Sequence, residues 1–395
     1  MKKLFIALPF LILMMALTSG SFAQTDSLNR RYTIAVFVPL YLDSAFDGID
    51  EYKYGKTFPK FLNPGLEFYE GVQLAADSLN KIGAALDIHI YDTRSASNPI
   101  DGVFLRPELT KVDLIIGHVT NNELRTLADI AKKKNIPFIN ANIPNDGGVS
   151  NNPSLVILNS TLRTHCQAIY RFLQRNYAKT SIIVFTKKGV QEDILKKYFT
   201  DVERTTASVP LRLRFVTLNN DFSRAQLLPF LDSTALTMCI AASLNEQFAK
   251  DLSQELAELN KTYPTRVMGM PTWDGIKDFD KKEFKGLEIF YSTPFYQSKA
   301  DKVSLWITSY FKTNLYSRPS DMVFRGYECV MHFGKLLLEH GPNLISSIGE
   351  QKYKVFTDFD IQPVFLNKQT PTLDYFENRK LYIVKLVDGT IKGVY

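Results

Sequence analysis

The sequence predicts an α/β protein of two similar lobes, each built on a parallel sheet with helices against it, and three observations carry that expectation. Short apolar runs rich in β-branched and aromatic residues alternate with amphipathic helical stripes. The alternation begins again after one long helical stretch, "TLRTHCQAIYRFLQRNY". No low-complexity linker separates the two halves, so several ordered chain crossings are expected to join them.

Taken in order, "YTIAVFVPL" (residues 32–40) is continuously apolar and reads as a buried strand. A long polar and aromatic connection follows. "LEFYEGVQLAADSLNKIG" then places Phe68, Val72, Ala75, Leu79 and Ile82 on one helical stripe, with Gly83 as its stop. "LDIHIYDT" and "VDLIIGH" are the next strands, "NELRTLADIAKKKN" is a helix, and "IPFINAN" and "SLVILNS" complete the first half. In the second half "SIIVFTKKG", "LRLRFVTL", "ALTMCIAAS", "RVMGMPT" and "EIFYSTPF" read as strands, with "QEDILKKYFTDVERT" and "EQFAKDLSQELAELNK" as helices among them. Strands separated by helices of this length make right-handed crossovers in a parallel sheet. "KVSLWITSYFKTNLY" and "SDMVFRGYECVMHFGKLLLEHG" are late helices, and "NRKLYIVKLVDGTIKGVY" reads as a hairpin turning at Asp388 and Gly389.

The first residues, "MKKLFIALPFLILMMALTSGSFAQ", have two lysines, an apolar run from Leu4 to Leu17 and small residues up to Ala23. That is the arrangement of a secretory signal peptide over residues 1–24, with cleavage expected near Ala23. The run is short for a membrane span, which needs about 20 apolar residues, and no transmembrane segment is expected in the mature chain. No cysteine lies near the cleavage region to carry a lipid anchor. Taking 24 residues from 395 leaves 371, enough for two domains with a core that needs no disulfide or metal. Loss of Lys2 and Lys3 brings the formal charge from +6 to +4, too small and too interspersed an excess for nucleic acid. The three cysteines are far apart: Cys239 sits in an apolar run as a small hydrophobe, and pairing of Cys166 with Cys329 is left open.

Ligands of open parallel sheets lie outside the carboxyl ends of the strands, where loops lead into helix N-termini. "DLIIGHVTNNE" (residues 113–123) has that form: Gly117 lets the chain turn, and Thr120, Asn121 and Asn122 either cap the next helix or reach a ligand. Polar or aromatic loops recur at other strand ends, in "NANIPND", "FTKKGVQED", "AASLNEQ", "MPTWDG" and "YSTPFY".

Three stretches in order carry a resemblance. "FYEGVQLAADSLNKIG", "VDLIIGHVTNNELRTLADIAKKKNIPFINAN" and "RPSDMVFRGYECVMHFGKLLLEHG" are similar to segments of the type 1 periplasmic binding proteins, the branched-chain amino-acid receptor class, over nearly the whole mature chain. The chain departs from the family at His118, which replaces a proline, around Thr120 and Asn121, where a serine is common, and at Glu328, which replaces an aspartate. Those changes bear on amino-acid specificity. "AVFVPLYLDSAF" and its long following loop also resemble the subgroup associated with peptidoglycan and the activators of penicillin-binding proteins.

The resemblance implies two Rossmann-like lobes, residues 30–160 with 299–342 and residues 161–298 with 343–395, joined by a multi-crossing hinge and closing over a ligand. It implies an exported solute-binding protein that captures a small polar ligand, an amino acid among the candidates, for ABC-type uptake or sensing. The alternative is an envelope interaction module linked to peptidoglycan synthesis. The expected partners are the small molecule and either an ABC permease or a cell-wall synthesis protein, with no cofactor and no metal. By position, Tyr41, Thr120, Asn121, Asn140 and Asn142 are offered from the first lobe, and Thr186, Ser243, Trp273, Asp274 and Tyr291 from the second. Asp274 is the candidate for holding a ligand ammonium, and Trp273 either stacks on a ligand or fills the core.

Catalytic patterns are wanting. "YGKT" lacks the glycine spacing of a phosphate-binding loop, and no G-x-S-x-G elbow occurs. The five histidines show no metal-ligand spacing; His118 alone sits at a strand's ligand end, and His165 cannot form a dyad with Cys166 by adjacency. Asp278 and Asp280 lie in the charged run "KDFDKKEFK" and read as a solvated loop. The chain is therefore read as a binding protein and not an enzyme.

Overall fold

The computed structural model describes residues 30–394 apart from 50, 298, 368, 370 and 371. The expected signal peptide lies outside the described residues. The first strands are β1 (Tyr32–Val38), β2 (Leu86–Asp92), β3 (Leu114–Gly117), β4 (Phe138–Asn140) and β5 (Leu155–Ile157). They are followed by β6 (Ser181–Lys187), β7 (Arg214–Leu218), β8 (Thr237–Ala241), β9 (Thr265–Met268) and β10 (Glu288–Thr293). The last four are β11 (Ile361–Val364), β12 (Tyr375–Asn378), β13 (Tyr382–Val387) and β14 (Thr390–Val394). The longer helices are α1 (Asn63–Lys81), α2 (Asn121–Lys134), α3 (Leu162–Tyr177), α4 (Val190–Thr205), α5 (Glu246–Leu259), α6 (Lys302–Asn314) and α7 (Asp321–His340).

Two seven-stranded sheets result, in the orders β11-β12-β5-β4-β3-β1-β2 and β14-β13-β10-β9-β8-β6-β7. The expectation of parallel sheets needs correcting at one edge of each. β12 runs parallel to β5 but antiparallel to β11, and β13 is antiparallel to both β10 and β14. The sheets are thus mixed, though mostly parallel. The β13–β14 hairpin turns where expected, with Asp388 and Gly389 both at positive φ, the pair of conformations a tight hairpin turn needs. β11 and β12 were not foreseen: each has four residues, and β11 carries Pro363, tolerable because the strand is outermost and needs no inner ladder bond there.

By compactness the described residues divide into 30–116 with 319–347, and 117–318 with 348–394. In the first unit, residues 34–38 of β1 are wholly buried. Here α1 and α7 approach until their backbones touch. A Cβ on Gly71 would stand 2.0 Å from the Val323 carbonyl oxygen, and one on Gly326 would stand 2.2 Å from that of Phe68, so each helix needs a glycine where it crosses the other.

In the second unit the second sheet is covered on both sides, which is why its strands read as continuous apolar runs. Ile183, Phe185, Cys239, Val267, Ile289 and Tyr291 pack with α5, while Ile182, Val184, Met238, Ile240, Met268 and Phe290 pack with α3 and α4. Alternate residues of one strand serve opposite faces. All three cysteines are buried free thiols, so the pairing left open for Cys166 and Cys329 is not made, and burial pushes their ionisation up. No helix among the described residues is long and apolar enough to cross a membrane.

Candidate functional site

In the first unit, the carboxyl end of β1 holds a strained turn. Tyr41 has φ 57° and ψ 37°, a left-handed conformation that a bulky residue rarely adopts. Asp92, the last residue of β2, over-determines it. Its Oδ1 accepts the N–H groups of Leu40 (2.9 Å), Tyr41 (3.1 Å) and Arg94 (2.8 Å), and its Oδ2 accepts that of Leu42 (2.8 Å). The Tyr41 ring meets Phe61 edge to face at 5.1 Å, and the Arg94 guanidinium lies over it at 5.4 Å. Asp43 is drawn below its ordinary value by the Ala96 N–H it accepts, which ties the β1 loop to the loop after β2. Strain held this firmly marks a place where geometry matters. Sequence reasoning missed Asp92, whose position at the end of a strand beside β1 was its only signal.

In the second unit, β3 ends at Gly117 and the chain passes through His118 and Val119 to Thr120, the N-cap of α2. The Glu123 carboxylate accepts the Thr120 N–H at 2.7 Å and completes a capping box. Of the three residues to which the sequence left the cap, Thr120 takes it; Asn121 and Asn122 are exposed in the first turn. Asn142 clamps the loop before α2 from the end of β4: its Oδ1 accepts the Val119 N–H and its Nδ2 donates to the Val119 carbonyl, both at 2.8 Å. Asn140 is wholly buried and does the same for Ile143, accepting its N–H at 3.0 Å and donating to its carbonyl at 2.9 Å. Both amides shape the loops, and Asn140 reaches no solvent.

At the ends of the second sheet's strands, Thr186 donates to the Ala242 carbonyl at 3.2 Å, and the buried Ser243 donates to the Glu192 carboxylate at 2.6 Å. Glu192, in the first turn of α4, is a further residue the sequence did not single out. Of the two roles left open for Trp273, the structure has the core. Its side chain is 1% exposed, lies 5.0 Å from the Phe279 ring, and sits where a Cβ on Gly269 would fall 1.9 Å away. Tyr291 belongs to the same apolar cluster. Asp274, the next residue after Trp273, is exposed, and the Thr293 hydroxyl at the end of β10 donates to it at 3.3 Å.

Of the ten residues expected to face a ligand, Asn121 and Asp274 are exposed, Tyr41, Thr120 and Asn142 are half-buried, and Asn140, Thr186, Ser243, Trp273 and Tyr291 are buried. The exposed and half-buried set offers an amide, a hydroxyl, an aromatic ring and a carboxylate. Tyr41 belongs to the first unit, and Thr120, Asn121, Asn142 and Asp274 belong to the second.

The arrangement of strands and loops is that of the type 1 periplasmic binding proteins, and the chain has that fold. A putative branched-chain amino-acid ABC transporter protein from Rhodospirillum rubrum superposes with a TM-score of 0.68 at 14% identity, over 92% of this chain and all of the other. An ABC transporter substrate-binding protein from Desulfitobacterium hafniense gives 0.61 at 13% identity over 92% and 100% of the two chains. A substrate-binding protein of the same organism, in complex with Leu, gives 0.56 at 13% identity over the same shares. No family profile matches the chain, and no curated protein matches it in sequence.

Proposed function

We propose that this chain is an exported solute-binding protein that captures a small polar ligand, with amino acids the first class to test, for ABC-type uptake or sensing. The observation that carries the reading is the exposed Asp274 carboxylate with the Thr293 hydroxyl beside it, set after β9 and at the end of β10 in a fold shared with ABC transporter substrate-binding proteins. Asp274 would receive a ligand ammonium or hydroxyl, and the half-buried Thr120 and exposed Asn121 would meet the ligand at the start of α2. The Leu complex of the Desulfitobacterium protein supports trying amino acids first. Catalysis is not part of the reading.

The test is a thermal-melt screen of the protein without residues 1–24 against amino acids, short peptides, sugars, nucleosides and cell-wall fragments. A ligand at 100 times its dissociation constant adds about 2.7 kcal/mol of stability. One chemical class should raise the melting temperature, and the double variant Thr120→Ala/Asp274→Ala should lose that rise. Loss of the Thr120 cap alone lowers the starting stability by about 1 kcal/mol, so the quantity read is the ligand-induced shift. A flat response across the panel would remove solute capture, and an undiminished shift in the variant would remove these residues from the site.

A further inference from the structure

The helix α6 carries an exposed apolar and aromatic surface. Of its thirteen residues only Ser304, Ile307 and Phe311 are buried, a single narrow stripe. Leu305, Trp306 and Tyr310 lie outside that stripe, and Leu315 and Tyr316 follow directly, all between 37% and 91% exposed. The Trp306 and Tyr310 rings lie 6.3 Å apart on successive turns. A helix normally turns its large apolar groups inward, so an outer surface bearing Trp, Tyr and Leu calls for a second medium.

Charge identifies that medium. Between Asp301 and Asp321 the sequence has no acidic residue, while Lys302, Lys312 and Arg318 all fall there. The two bounding aspartates are at helix starts; the Asp301 carboxylate accepts the Val303 and Ser304 N–H groups. The segment is thus an apolar and aromatic surface within a net positive stretch. A second copy of the same chain would oppose like charges. Protein interfaces draw on Trp and Tyr but are poor in lysine, whereas aromatic rings beside lysine are the composition of a membrane–water boundary. Thirteen residues are too few to cross a bilayer, so the contact would lie along its surface.

We propose that the outer surface of α6 with Leu315 and Tyr316 rests on an anionic lipid surface, the aromatic and leucine side chains entering the headgroup layer and Lys302, Lys312 and Arg318 meeting the phosphates. This goes beyond ligand capture and does not depend on it.

The experiment uses protein lacking residues 1–24, whose apolar run would itself bind lipid, mixed at low salt with phosphatidylcholine vesicles with and without phosphatidylglycerol. The chain has two tryptophans, and Trp273 is sealed in the core, so an emission change reports on Trp306. The expected result is sedimentation with the anionic vesicles and a blue shift, both reversed by added salt. Lys302→Glu/Lys312→Glu and Leu305→Ser/Trp306→Ser should each weaken sedimentation by about tenfold or more. These side chains are exposed, and unchanged melting curves would verify that the variants fold. Absence of wild-type binding would overturn the proposal and leave a protein contact as the use of this surface. Equal binding by wild type and both variants would overturn it as well, by placing lipid contact elsewhere on the chain.

Discussion

His165 makes stability depend on pH in a way that can be isolated. It lies in the first turn of α3, 1% exposed, with Nδ1 2.8 Å from the Ser292 hydroxyl oxygen on β10. Burial pushes its pKa from 6.5 down to about 3, with a hydrogen bond at Ser160 opposing in part. The unfolded chain therefore takes up a proton below about pH 6.5 that the folded chain refuses until about pH 3. The contribution is fully present above the unfolded value and is lost as pH falls toward the folded one. At 1.36 kcal/mol per pKa unit, the loss is about 2 kcal/mol by pH 5 and about 4 kcal/mol by pH 3. His165→Asn keeps a group able to bond Ser292 but cannot titrate. Urea unfolding at about pH 7.5 and pH 5 should show the wild type losing about 2 kcal/mol more than the variant between the two, because the carboxylates common to both cancel. Equal losses would refute the idea that a neutral, buried imidazole sets this slope. A histidine resonance titrating near its ordinary pKa in the folded protein, absent from His165→Asn, would refute it independently.

Three further outcomes follow from the packing. Gly326→Ala should destabilise by about 3 kcal/mol although alanine is the better helix former by about 1 kcal/mol, because the new methyl meets the Phe68 carbonyl; a stabilised variant in urea unfolding would count against the close crossing. Glu377→Gln should cost about 3 kcal/mol or more. The buried carboxylate accepts the Thr161 N–H and the Thr164 hydroxyl, each at 2.7 Å, and pairs with Arg379 at 3.2 Å, so a shift in the urea midpoint well under that size would deny the network its role. Asp92→Ala should cost about 2 kcal/mol and let Tyr41 leave its left-handed conformation; amide exchange at Leu40, Tyr41 and Leu42 should speed up, and unchanged protection there would contradict the clamp.

Much of the fold was legible because the signals are local. Buried strands such as β1 and β8 are continuous apolar runs, α2 has its stripe and cap within a few residues, and the Asp388–Gly389 turn is written in two positions. β11 and β12 escaped because four residues hold too little periodicity. At the strand ends the loops were legible, and the burial of their side chains was not. Polar residues after strand ends look alike in sequence, yet Ser243 is sealed by Glu192 from α4, while Asp274 reaches solvent.

The sequence by itself determined where strands and helices alternate, that the alternation occurs twice, and which loops stand at the strand ends. Those features depend on the order of apolar and polar groups over one or two turns. Only the tertiary structure decided that Trp273 belongs to the core, that Thr120 and not an asparagine caps α2, and that Thr161 finds its acceptor in Glu377, 216 residues away. Burial and hydrogen-bond partnership are settled by which distant segments meet, and no periodicity in the chain records that meeting.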